Sequence, residues 1–168
     1  MSTTISRLLI GVTLAMGATV ALASEFKMGF VDTDRVLHQS ATAASAQVKL
    51  EKEFSPREKA LSKAAEEIQT ASAAFDRDAP TLSESERVKR QRDLVQRDQD
   101  FQRKRREFQD DLNTRKNEEL QKVLAKANAV IRDLAKKGNY DVILQDAVYV
   151  NPKHDMTPAV IRGLDAGQ

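Results

Sequence analysis

Nine cations fall within twenty residues of this sequence: Arg87, Lys89, Arg90, Arg92, Arg97, Arg103, Lys104, Arg105 and Arg106. Only Asp93, Asp98 and Asp100 oppose them, a net +6 in a chain whose 168 residues carry +2 overall. A segment so charged draws acidic partners from a distance and speeds their capture, and the attraction falls with salt. Acidic polypeptides and the anionic headgroups of lipids both fit. No recognisable reading motif accompanies the cations, so any nucleic-acid binding would be non-specific and salt-sensitive, and no specific nucleic acid is expected.

Side chains that do covalent or metal chemistry are scarce. There is no cysteine, and the two histidines, His38 and His154, lack ligand-like neighbours at metal spacing. Asp32-Thr33-Asp34 has the look of a paired-carboxylate site, but it stands at a strand-to-helix junction, where Asp32 or Thr33 serves as a helix cap. Beyond residue 23 the only glycines are Gly29, Gly138, Gly163 and Gly167, from which no phosphate-cradling loop can be drawn. The expectation is a protein that works by binding, without ATP, cofactor or metal, and not an enzyme.

The elements that must carry the cations begin after an export signal. Arg7, the apolar run Leu8 to Val20 and the small-residue pattern Ala21-Leu22-Ala23 read as a secretory signal peptide over residues 1–23, too short for a good membrane span. Residues 24–168 are then exported and soluble. An exported chain without disulfides must hold together by packing or by oligomerisation. The composition, low in aromatics and rich in Ala, Glu, Lys, Arg, Gln and Asp, suits long helices.

Residues 41–137 read as two such helices. In the first, Phe54, Leu61, Ile68 and Phe75 recur every seven residues, with Leu50, Arg57, Ala64 and Ala71 as the companion position. Pro56 should kink or locally break that helix. Asp76-Arg77-Asp78-Ala79-Pro80 stops it, and Thr81 with Glu84 fits a capping box for the next. The second helix runs from about Leu82 to Lys137. Leu94, Phe101 and Phe108 keep one seven-residue period and Leu120, Ala127 and Leu134 another, with a stutter expected near Arg115-Lys116. Lys136, Lys137 and Gly138 end it, with Gly138 as the residue that accepts positive φ. A tight turn near 76–83 then makes an antiparallel coiled-coil hairpin arm, its helices roughly 55–60 Å and roughly 80 Å long. Small residues and Arg57 in the seam predict an arm that bends.

The remaining pieces, 24–40 and 138–168, form a body. Met28, Phe30 and Val31 belong to a strand near 26–32, and Val142-Ile143-Leu144 and Val148-Tyr149-Val150 read as strands over 141–150 that partner it. Thr157 and Pro158 open a short last helix as N-cap and first helical residue. Strands with apolar residues on both faces cannot be covered by about 50 residues alone, because so small a body buries too little. The expected remedy is symmetric association through Met28, Phe30, Val31, Val142, Ile143, Leu144, Val148 and Val150. The fold class is thus α+β, mostly α.

Along its whole exported length the sequence resembles the Skp/OmpH family. The resemblance rests on "MGFVDTDRVL" at 28–37, the charged helical hairpin, "DVILQDAVYVNP" at 141–152 and "HDMTPAVIRGL" at 154–164. It implies a soluble periplasmic chaperone, a homotrimer whose arms enclose a cavity and hold unfolded outer-membrane β-barrel proteins without nucleotide. The nine cations would then be the client-binding or polyanion-binding surface, open also to lipopolysaccharide or anionic lipid. Pro56 departs from an uninterrupted arm helix. Two other functions fit the bare pattern: a coiled-coil spacer or adaptor of the cell envelope, and a non-specific polyanion-binding protein.

Overall fold

The computed structural model describes residues 26–167, so the expected signal peptide lies outside the described residues. The first strand, β1 (Met28–Phe30), is short and bounded on both sides. On one edge it pairs in parallel with β2 (Val142–Leu144), in the register Met28 to Val142 and Phe30 to Leu144. On the other edge the Met156 amide donates to the Phe30 carbonyl at 2.8 Å, and the Asp32 amide donates to Thr157 Oγ1 at 2.9 Å. Backbone groups of β1 that would otherwise be orphaned are satisfied from both sides. The expected second partner, 147–150, forms no strand. An extended run becomes a ladder only where a neighbour offers amides and carbonyls, and this single chain offers none there: Val148 is fully exposed and Tyr149 is 81% exposed.

After β1, Asp32 caps α1 (Thr33–Gln39), its Oδ1 accepting from the Arg35 amide at 2.9 Å, as its place at the junction led one to expect. Ser40 ends α1 and caps α2 (Ala41–Asp78) through the Ala43 amide. The helix continues through Pro56 without the expected break. Pro56 and Lys52 are both exposed, so the carbonyl that loses its amide faces water, while the buried Phe54 anchors the opposite side.

The turn also differs in detail. Ala79–Thr81 forms a 3-10 turn, and Thr81 Oγ1 donates to the Asp78 carbonyl. With that hydroxyl engaged, the capping box moves two residues on: Ser83 and Glu86, not Thr81 and Glu84, cap α3 (Glu84–Gly138) reciprocally. At the far end the left-handed residue is Asn139, with φ of 51°, rather than Gly138. Asparagine tolerates that conformation. Gly138 is needed for space instead, because a Cβ there would lie 2.5 Å from the Tyr140 ring.

Side-chain contacts between α2 and α3 pair Lys49 with Glu119, Glu53 with Arg115, Arg57 with Asp111 and Asp78 with Arg90, so one number falls as the other rises. The core lies at the opposite end from the turn. Val123, Ala127 and Ile131 of α3 meet Val31, Val36 and Met156, together with Val160 and Leu164 of α4 (Thr157–Ala166). The spacing of four along α3 keeps these side chains on one face. Gly163 lets α4 approach that helix: a Cβ there would be 2.7 Å from Val130 Cγ1.

Candidate functional site

All nine predicted cations lie on the half of α3 nearer the turn, and all are exposed. They divide into two groups. Arg87 pairs with Glu84, Arg90 with Asp78, Arg97 with Asp93 at 2.8 Å, and Arg103 with Asp100 at 2.9 Å and Glu107. All but Arg90–Asp78, which links α3 to the end of α2, are local helix-surface pairs, and such exposed pairs contribute little to stability. Lys89, Arg92, Lys104, Arg105 and Arg106 have no carboxylate within ion-pairing distance among the described residues. Sequence counting gave the total charge but could not separate these five, since pairing depends on which rotamers meet.

The surface that carries them is thinly packed. Leu61, Ile68 and Phe75 of α2 and Leu94, Phe101 and Phe108 of α3 are half-buried. Among the described residues of the two helices, Phe54 and Glu119 are the buried residues nearest the turn. The companion positions explain this. Four residues before Leu94, Phe101 and Phe108 stand Arg90, Arg97 and Lys104, so the second stripe that would complete a coiled-coil seam is cationic.

Where the packed and thin segments meet, polar contacts replace apolar ones. Phe54 and Phe108 stack edge to face with centroids 5.7 Å apart, and the Arg57 guanidinium lies over both rings while bonding Asp111 at 2.7 Å. About two turns beyond Asp111 toward the core, Glu119 is 6% exposed, and its Oε1 accepts from Lys122 at 2.9 Å, Arg115 at 3.0 Å and Lys49 at 3.3 Å. The Lys122 hydrogen bond foremost, and then Lys49, outweigh burial and hold the carboxyl at a pKa of about 2. Arg115 also bonds Glu53 and Glu118, which raise its pKa further. The sequence signal for Glu119 was available: it is the acid in a four-residue row with Val123, Ala127 and Ile131.

The residues expected to join copies at the body are unequally placed. Met28 and Leu144 are about 40% exposed, Phe30, Val142, Ile143 and Val150 are half-buried, and Val148 is open to solvent. Val31 is fully buried in the core of its own chain, so it offers no open surface. His38 and His154 each place Nδ1 at hydrogen-bond distance from a backbone carbonyl, that of Asp34 and that of Met28. No described helix is long and apolar enough to cross a membrane.

Comparison with known proteins agrees with this architecture. A family model described as outer membrane protein (OmpH-like) matches residues 27–164. The chaperone protein Skp of Yersinia enterocolitica is 30% identical over 155 residues, 91% of this chain and 93% of the relative. That of Pectobacterium atrosepticum is 29% identical, covering 90% of this chain and 93% of its own. A crystal structure of an OmpH-like outer membrane chaperone from Caulobacter crescentus superposes with a TM-score of 0.77 at 19% identity, covering 85% of this chain and 86% of that one, which shows a shared fold. From the strand and capped helix at its start to the last helix that closes its core, the chain belongs to the OmpH-like (Skp/OmpH) family.

Proposed function

We propose that the chain is a soluble periplasmic chaperone that holds unfolded outer-membrane β-barrel proteins and prevents their aggregation without ATP. The observation that carries this reading is the group of five unpaired cations on a long, thinly packed helical pair. Such a surface attracts acidic chains and yields to their shape. Family membership and the chaperone relatives support the same reading. In it α2 and α3 form an antiparallel arm, and three copies associate through the open edge of β2 and the exposed 147–150 segment. Unpaired strand edges and exposed apolar side chains favour association of this kind. The arms then surround a cavity whose walls carry the cations. Contact of those cations with lipopolysaccharide or anionic lipid belongs to the same chemistry.

The test is to dilute a urea-unfolded outer-membrane β-barrel protein into buffer with and without residues 24–168, at low and high salt, following light scattering. Suppressed scattering that weakens with salt supports electrostatic holding. Unchanged aggregation from a folded, oligomeric chain overturns it and favours an envelope spacer.

A further inference from the structure

Beside the Phe54–Phe108 pair the thin seam leaves a slot of about 220 Å3, lined by Arg57, Ala60, Leu61, Ala64, Lys104, Glu107 and Phe108. The sequence explains the slot. Ala64 occupies the companion seam position that holds Leu50 two heptads earlier, and the facing position on α3 is Lys104 rather than an apolar residue. No side chain of the pair fills the space, yet its floor is apolar: Leu61, Ala64 and Phe108 are half-buried, and the Arg57 guanidinium covers part of the Phe108 ring.

Size and charge restrict what fits. An apolar cavity of about 150 Å3 takes a benzene ring, so this one has room for one aromatic side chain. At the rim, the Arg57 guanidinium is engaged by Asp111, and Glu107 lies close to Arg103. Lys104 has no carboxylate partner among the described residues and remains available. We infer that this slot is a binding subsite for an aromatic side chain flanked by a carboxylate on an extended polypeptide. The ring lies on Leu61, Ala64 and Phe108, and the neighbouring carboxylate pairs with Lys104. This deepens the holding function proposed above and rests on it. It makes the arm selective for aromatic-acidic stretches rather than for negative charge alone.

The test uses the exported chain, residues 24–168, titrated with three blocked tripeptides, Asp-Phe-Asp, Lys-Phe-Lys and Asp-Ala-Asp. The alanine methyl signals of Ala60 and Ala64 are followed by NMR. Asp-Phe-Asp should shift both methyls, with at least tenfold weaker effects from the other two peptides. Ala64→Leu fills the slot and should abolish the response without loss of helix, and Lys104→Gln should reduce it severalfold. Equal responses to Asp-Phe-Asp and Lys-Phe-Lys, or an unaltered response in Ala64→Leu as followed at Ala60, overturn the inference. Failure of the peptide to bind while the same chain still suppresses client aggregation overturns the slot and leaves the holding function standing. Loss of both overturns the two together.

Discussion

Asp165, in the last helix, caps the first turn of α2: its Oδ1 accepts the Thr42 amide at 3.0 Å and the Thr42 hydroxyl at 3.2 Å, across 123 residues of sequence. Its second oxygen accepts the Ala41 amide at 3.1 Å. The last helix thereby holds the start of α2, supplementing the local cap from Ser40.

Asp165→Ala should therefore destabilise the chain by about 1 kcal/mol, the usual cost of losing an N-cap acceptor. Asp165→Asn should retain most of that. Urea unfolding followed by circular dichroism measures both, and equal stability of Asp165→Ala and the parent would remove the carboxylate from the account.

Thr157 has a role other than the one its sequence position suggests. Its hydroxyl accepts from the Asp32 amide, Asp155 Oδ1 accepts from the Thr157 amide, and the N-cap residue of α4 is Met156, which makes no side-chain cap bond. Thr157 is fully buried. Thr157→Val leaves the Asp32 amide without its partner and should cost about 1–3 kcal/mol, whereas Thr157→Ser should restore most of the loss. A Val variant as stable as the parent in urea would count against the contact.

Acid should weaken the molecule in a defined window. Asp155 and Asp165 are held below the ordinary aspartate value, Asp155 by its hydrogen bonds with Thr157 and Arg35 and Asp165 by those from Ala41 and Thr42, each against the upward push of burial. Glu119 lies at about 2 against an ordinary 4.5. A depressed carboxylate stabilises the fold above its unfolded pKa, and that contribution is lost as pH falls through the folded value. Unfolding midpoints should be flat from neutral pH down to roughly 5 and should fall below that. In Glu119→Gln the fall should be shallower, and an identical acid profile would argue that the three cations around Glu119 do not stabilise it.

Local stability should fall along α2 and α3 from the core toward the turn. Amide exchange between residues 61 and 75 and between 94 and 106 should be faster than around Val123 and Ile131, since few buried contacts hold the former. Phe54→Ala removes the last buried side chain of α2 on the way to the turn and should cost about 3 kcal/mol, extending fast exchange toward Leu50. Uniformly slow exchange along both helices would contradict a thin seam.

Much of this was legible in the sequence because it depended on local pattern. The spacing of Phe54, Leu61 and Ile68, the Asp32 cap and the cationic run all follow from side chains near one another in the chain. What escaped depended on contacts between distant segments. Thr157 looked like a cap because its partner, Asp32, is 125 residues away. The run 147–150 looked like a strand because its residue types suit one, yet a strand needs a neighbour that composition does not report. Pro56 looked like a break because nothing local says which way the freed Lys52 carbonyl faces. Ser83 displaced Thr81 as a cap once the 3-10 turn had engaged the threonine hydroxyl.

The most direct measurement of the central claim is the mass of the complex formed when a denatured outer-membrane β-barrel protein is diluted into residues 24–168 at low salt, by native mass spectrometry. The account predicts one client held by three copies of the chain, with the complex lost when Lys89, Arg92, Lys104, Arg105 and Arg106 are all changed to Gln. Client-free chains beside aggregated client, or a complex indifferent to those five substitutions, would contradict it.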